Sequence, residues 1–256
     1  MTILDTIAAS ARLRVERDKL AGLPPQSAKC LPPFAFEQAL RRPGVSFICE
    51  VKKASPSKGV IAEHFPYLDI AREYARAGAD AISVLTEPEF FLGADRYLAE
   101  IREAVGVPLL RKDFVVDGFQ IEQAARLGAD AVLLICAILS PALLAEYIKL
   151  ADSLGLSSLV EAHDAAELQT ALEAGARVVG VNNRDLRTFD VDTANSARLR
   201  ALAPKGVVFV SESGIHTAED VAALRGHGVD AVLVGEALMR AADKKAALDN
   251  LRGTGV

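Results

Sequence analysis

The chain has 256 residues, 51% of them hydrophobic and 25% charged, with a formal net charge of −5. That is the profile of a globular protein able to bury a substantial core, which argues against disorder, and the acidic balance argues against nonspecific nucleic-acid binding, which needs a basic face. No apolar run approaches the roughly 18 to 20 residues of a membrane span; the longest, 129–139, contains Asp130 and suits a buried strand with its exit loop.

Arg12, Arg14, Glu16, Arg17 and Asp18 interrupt the N-terminal stretch, so it lacks the charged-then-apolar pattern of a signal peptide, and cytoplasmic residence is the expectation. Ile3, Leu4, Ile7, Ala8, Leu13 and Leu20 are helically spaced, and Leu31-Pro32-Pro33 punctuates the chain before Phe36. Residues 1–44 are therefore expected to form an extra helix, a proline-rich connection and a second short helix packed on the body of the protein. A disordered tail is the alternative.

From residue 45 onward the chain repeats. Gly78-Ala79-Asp80-Ala81, Gly128-Ala129-Asp130-Ala131, Gly175-Ala176-Arg177-Val178 and Gly228-Val229-Asp230-Ala231 recur at intervals of about 50 residues. Each places a glycine, suited to a left-handed helix end, after an amphipathic stretch and before an aliphatic run. Strands are predicted at 45–52, 82–85, 108–112, 132–135, 157–161, 178–181, 207–211 and 232–234, each followed by a helix-like stretch. Ser140-Pro141 and the Thr217/Asp220 pair mark helix starts. Uniform alternation implies a parallel sheet, and quarter-repeats of even length favour closure into a (β/α)8 TIM barrel, α/β in class, as one domain over 1–256. An open doubly wound sheet is the structural alternative.

Active sites in such barrels lie at the C-terminal ends of the strands. On the first strand, period-two alternation sends Glu50 and Lys52 to one face and Cys49 and Val51 to the other. Later strands end in Arg111-Lys112-Asp113-Phe114, Glu161-Ala162-His163, Asn182-Asn183-Arg184 and Ser211-Glu212-Ser213-Gly214. Taken singly, each is an ordinary solvated charge past a strand end. Together, lysines and glutamates converging above a barrel core form an acid-base set, because charges there are costly unless paired or used.

Two glycine turns, Ser213-Gly214 and Gly235-Glu236, follow the seventh and eighth strands, the second opening the final helix. Barrels frequently bind phosphate there, and glycine lets the backbone approach an anion. Cys30, Cys49 and Cys136 match no disulfide or metal spacing, and Cys49 and Cys136 read as small buried hydrophobes within strands. His64, His163, His216 and His227 show no ligand spacing; His163 stays open for a role because it follows Glu161 on the same strand face. No metal is expected.

The run Glu50-Val51-Lys52-Lys53-Ala54-Ser55-Pro56-Ser57-Lys58-Gly59 resembles the first-strand signature of indole-3-glycerol-phosphate synthases. Arg111-Lys112-Asp113-Phe114, Val181-Asn182-Asn183-Arg184-Asp185-Leu186, Ser211-Glu212-Ser213-Gly214-Ile215 and Leu233-Val234-Gly235-Glu236 resemble that family's later motifs in order, so the likeness spans the chain. It implies ring closure, decarboxylation and dehydration of 1-(2-carboxyphenylamino)-1-deoxyribulose 5-phosphate in tryptophan biosynthesis, with no cofactor. By resemblance Lys112 is the general acid, Glu161 the other proton-transfer residue, and Lys52 a holder of the anionic substrate. Glu50, Asn182, Arg184 and Glu212 complete the polar wall. Phe114 and Pro56 contact the aromatic part, Ser55 joins the substrate-binding set, and Ser213, Gly214, Gly235 and Glu236 match the phosphate end. Ala94 stands where the resemblance leads one to expect a serine in many relatives, and Glu236 where some members carry serine.

The implied partner is a small phosphorylated molecule, with no nucleic acid and no membrane. A monomer is expected, and association with other tryptophan-pathway enzymes is left open. The rival readings are another phosphate-binding barrel lyase, a Schiff-base aldolase using Lys52 or Lys112, and a non-catalytic binding barrel.

Overall fold

Each aliphatic run forms a strand in the computed structural model, which describes residues 2–185 and 188–254. In chain order the elements are α1 (Ile3–Ala21), α2 (Ala35–Leu40), β1 (Ser46–Val51), α3 (Tyr67–Arg76), β2 (Ala81–Leu85), α4 (Asp95–Ala104), β3 (Leu109–Lys112) and α5 (Phe119–Arg126). There follow β4 (Ala131–Ile135), α6 (Pro141–Ser153), β5 (Ser157–Ala162), α7 (Ala165–Glu173), β6 (Val178–Asn182), α8 (Ala194–Arg200), β7 (Val208–Glu212), α9 (Ala218–Gly226), β8 (Ala231–Val234), α10 (Glu236–Arg240) and α11 (Lys244–Arg252). The eight strands are parallel and closed, β1 pairing with both β2 and β8. The barrel, and not the open sheet, is the architecture.

Alternation along the strands makes two cores. Phe47, Cys49 and Val51 of β1 belong to the layer between strands and helices, while Ile48 joins Ala81, Leu110, Leu133, Leu159, Val210 and Leu233 in a second cluster. Phe36 and Leu40 of α2 belong to that second cluster and are fully buried. Hydrogen bonds from the Glu37 amide to Ser157 Oγ and from Ser46 Oγ to the Ala39 carbonyl place α2 at the strands' N-terminal ends. Residues 1–44 thus carry two packed helices rather than a tail.

The repeat has a physical reason. Gly78, Gly128, Gly175 and Gly228 all sit at positive φ, between 79° and 94°, where the chain leaves a helix and turns into a strand. In three copies the aspartate then accepts a backbone N–H from a neighbouring strand: Asp80 from Phe47, Asp130 from Leu109 and Asp230 from Phe209. The fourth copy carries Arg177, which reaches Asp152 and Glu37 instead. The predicted helix starts also hold. Ser140 accepts from the Leu143 amide with Pro141 in the first turn, and Thr217 and Asp220 form a reciprocal cap.

Two expectations need correction. Gly235-Glu236 opens the short helix α10, and the last helix is α11, begun by Asp243, whose carboxylate accepts from the Ala246 amide. Cys136 lies in a single 3-10 turn, Cys136–Ile138, past the end of β4 and not within the strand.

Candidate active site

At the C-terminal ends of the strands a cavity of about 620 Å³ opens, and the expected catalytic and substrate-binding residues line it: Glu50, Lys52, Ser55, Pro56, Lys112, Phe114, Glu161, Asn182, Arg184, Glu212, Ser213, Gly214, Gly235 and Glu236. Leu186, the last residue of its motif, lies outside the described residues. Ser55 belongs to a two-stranded hairpin, Ala54–Ser55 with Gly59–Val60, that follows β1.

The floor is a cluster of opposite charges. Lys112 Nζ donates to Glu212 Oε2 at 3.1 Å and lies 3.8 Å from Glu50 Oε1, while Lys52 pairs with the other oxygen of Glu50. Burial disfavours the Lys112 ammonium, but the carboxylates of Glu212, Glu50 and Glu161 outweigh it and hold this group above its ordinary range. Burial likewise works against ionised Glu50, and Lys52 and Lys112 outweigh it and hold its carboxyl below the usual range. For Glu212 the balance reverses: burial, aided by Glu161 and Glu50, overcomes Lys112 and pushes the carboxyl up to about 7. Glu212 Oε1 is buried without a hydrogen-bond partner, against the backbone of Gly180. Lys112 is therefore a cation able to give a proton, and its charge state makes it a poor amine nucleophile.

Asn182 organises the wall opposite. Its Oδ1 accepts from the Arg184 amide at 3.0 Å and from Ser213 Oγ at 2.9 Å, and its Nδ2 lies 3.5 Å from Glu161 Oε2. Behind it Asn183, Ser196 and Ser211 form a buried network, and Asn183 Nδ2 also donates to the Ser213 carbonyl. That network holds Ser213 and Gly214 at φ of 68° and 78°. A non-glycine residue in this region is strained, and such strain concentrates at functional sites.

Ile3, Leu4 and Ile7 of α1, with Phe91, Phe114, Leu133 and Ile135, give one side of the cavity an apolar lining. The helix is fixed there by charge. Arg14 donates to Asp113 Oδ1 at 2.7 Å, Lys19 donates to Asp117 Oδ2 at 2.7 Å, and Asp113 Oδ2 accepts from Thr86 at 3.0 Å. Asp113 adjoins Lys112 in sequence, so α1 is tied directly to the end of β3.

Several contributors escaped the sequence reading. Lys58, Phe91 and Arg240 line the cavity as well. Gly180 interrupts an aliphatic strand, a recognised sign of close approach; a Cβ there would stand 2.3 Å from Glu212 Oε1. Gly235, expected to let the backbone approach an anion, also has close side-chain neighbours: a Cβ at this position would meet Glu50 Oε2 and lie 2.9 Å from Lys52 Nζ. Its smallness makes room for that ion pair. The Glu236 carboxylate accepts from Arg240 Nε at 3.1 Å and lies 3.9 Å from Lys58 Nζ. Among the described residues no group of three or more His, Cys, Asp or Glu could hold a metal ion, and no helix is long and apolar enough to cross a membrane.

Comparison with known proteins supplies the context for this geometry. A family model described as indole-3-glycerol phosphate synthase matches residues 4–251. An indole-3-glycerol phosphate synthase of Ruminiclostridium cellulolyticum is 58% identical, over 98% of this chain and 99% of its own length. One of Endomicrobium trichonymphae is 52% identical over 93% of this chain and 95% of its own. Among solved structures, 3-hexulose-6-phosphate synthase from Salmonella typhimurium superposes with a TM-score of 0.67 at 17% identity, covering 82% of this chain and 98% of that one. Thiamine phosphate pyrophosphorylase from Pyrococcus furiosus gives 0.60 at 18%, covering 82% and 94%. At such identities these two show the fold alone.

Proposed function

Because the chain belongs to the indole-3-glycerol phosphate synthase family, we propose a residue-level course for that reaction in this cavity. The enzyme is a carboxy-lyase of tryptophan biosynthesis: it closes 1-(2-carboxyphenylamino)-1-deoxyribulose 5-phosphate to indole-3-glycerol phosphate, releasing carbon dioxide and water. The aromatic ring lies against Phe114 and Pro56, beside the apolar lining that α1 provides. As the ring carbon bearing the carboxylate attacks the ketone carbon, Lys112 gives its proton to the ketone oxygen, which becomes a hydroxyl. Loss of carbon dioxide restores the aromatic ring. Departure of the hydroxyl as water takes a second proton, which Lys112 gives after it is reprotonated from solvent, and Glu161 accepts the proton lost by the carbon beside the nitrogen.

Lys52 and Arg184 hold the substrate's anionic groups, Ser55 and Asn182 orient it, and Glu50 and Glu212 set the charge of Lys112. The phosphate lies at the turns Ser213-Gly214 and Gly235-Glu236, where barrels of this kind commonly bind it. Residues 1–44 work with the barrel as one unit. The same reading makes the protein a cytoplasmic monomer whose partner is this small molecule, without nucleic acid or membrane.

The observation that carries the reading is Lys112, part-buried and held as a cation between Glu212 and Glu50 at the cavity floor. A protonated lysine serves as an acid and not as a Schiff-base nucleophile, which favours ring closure over aldol chemistry. The test is to mix purified protein with the carboxyphenylamino-deoxyribulose phosphate and follow indole fluorescence. The reading requires the fluorescence to appear with turnover; a silent mixture from folded protein would reject it.

A further inference from the structure

Immediately behind Glu161 lies a side chain that the proposed course does not use. Asp164 caps α7 by accepting the Glu167 amide at 2.9 Å, which fixes the first turn of that helix. Glu167 Oε2 then accepts from the His163 amide at 2.8 Å and lies 3.3 Å from His163 Nδ1. The His163 carbonyl accepts from Asn195 Nδ2 of α8 at 2.9 Å. Backbone and ring are thus both held. The other ring nitrogen, Nε2, is buried, has no hydrogen-bond partner, and lies 3.7 Å from Glu161 Oε1. His163 does not line the cavity, whereas Glu161 does.

From this arrangement we infer that His163 is a positioning residue for Glu161, a cation held by Glu167 that balances and orients the carboxylate from behind. The inference rests on the reading of Glu161 as a proton-transfer residue. Among the described residues Glu161 has one ion pair, to His163, while Lys52 and Lys112 are paired with Glu50 and Glu212. The charged groups facing the ring are acidic: Glu161 from β5, Glu167 from α7 and Glu212 from β7. Burial disfavours the imidazolium, but these carboxylates outweigh it and raise the group to about 9, so the ring is charged at neutral pH. A positive charge behind a carboxylate favours its ionised form, the form that accepts a proton.

The experiment compares His163→Gln, which keeps a hydrogen-bonding side chain and loses the charge, with Glu167→Gln and Glu161→Gln. The readouts are kcat and KM across pH and the melting temperature. In His163→Gln the acid limb of the kcat profile is expected to move upward by about 1 to 3 pH units, the effect of an opposite charge at this range. KM should hold; Glu167→Gln removes a negative charge and leaves the ring protonated at acid pH, so it should not move the limb upward, and the upward shift belongs to His163→Gln alone. A uniform loss at every pH with an unmoved limb, or no change at all, would overturn the proposal while Glu161→Gln remains inactive. Full turnover in Glu161→Gln would instead remove the reading of Glu161, and the His163 proposal with it.

Discussion

At the residue scale the site is a problem of fitting like and unlike charges into little space. Gly235 illustrates it, since any side chain there would meet the Glu50–Lys52 pair. Gly235→Val is therefore expected to weaken substrate binding strongly, seen as a raised KM. Glu236 behaves differently, because its carboxylate occupies Arg240 and stands near Lys58 at the cavity rim. Glu236→Ser frees both cations for the substrate phosphate, so KM should stay equal or fall; a much higher KM would show that the carboxylate aids binding.

Glu212 gives a pH signature. Its folded-state carboxyl is raised from 4.5 to about 7, so its contribution to stability is full below the unfolded value and is lost as pH rises through about 7. Glu212→Gln fixes the uncharged form. The variant's melting temperature should therefore gain on the parent between about pH 5 and pH 8, and a constant difference would contradict the assignment. Period-two alternation made Glu50 and Lys52 legible in the sequence, and position at a strand end did so for Lys112, Glu161 and Glu212, because strand ends of a barrel all point to one mouth. The Gly180 and Gly235 contacts were hidden, because they depend on distances between separate strands and loops, whereas the shared strand face of Glu161 and His163 already pointed to His163.

At the element scale, helix starts were legible wherever a capping side chain marks them, as at Ser140 and Thr217. The break between α10 and α11 was missed because no glycine or proline punctuates it; the signal was the capping Asp243. Ala94 is the reverse case, the N-cap of α4 in extended conformation with no side-chain bond to the helix. Ala94→Ser supplies the missing acceptor. It should stabilise the protein by about 0.5 to 2 kcal/mol, with little effect on kcat, measured by denaturant unfolding. Unchanged or lower stability would show that the hydroxyl finds no free amide there.

On the scale of the whole molecule, the two N-terminal helices pack at opposite ends of the barrel. Phe36 and Leu40 of α2 are buried at one end, and Ile3, Leu4 and Ile7 of α1 line the cavity at the other. The sequence foretold the helices through apolar spacing, but not this division between them, which depends on tertiary contacts such as Arg14–Asp113. Deleting residues 1–44 should lower the melting temperature and raise KM, and an unaltered barrel would show the segment to be dispensable. The central claim is that this molecule closes the indole ring with a proton from Lys112. Its most direct test is turnover of Lys112→Ala, followed by indole fluorescence, with fold checked by circular dichroism and substrate binding measured separately. The account predicts a folded protein that still binds substrate and loses turnover by about 10²- to 10⁴-fold. Near-normal turnover would contradict it and transfer the acid role to Lys52.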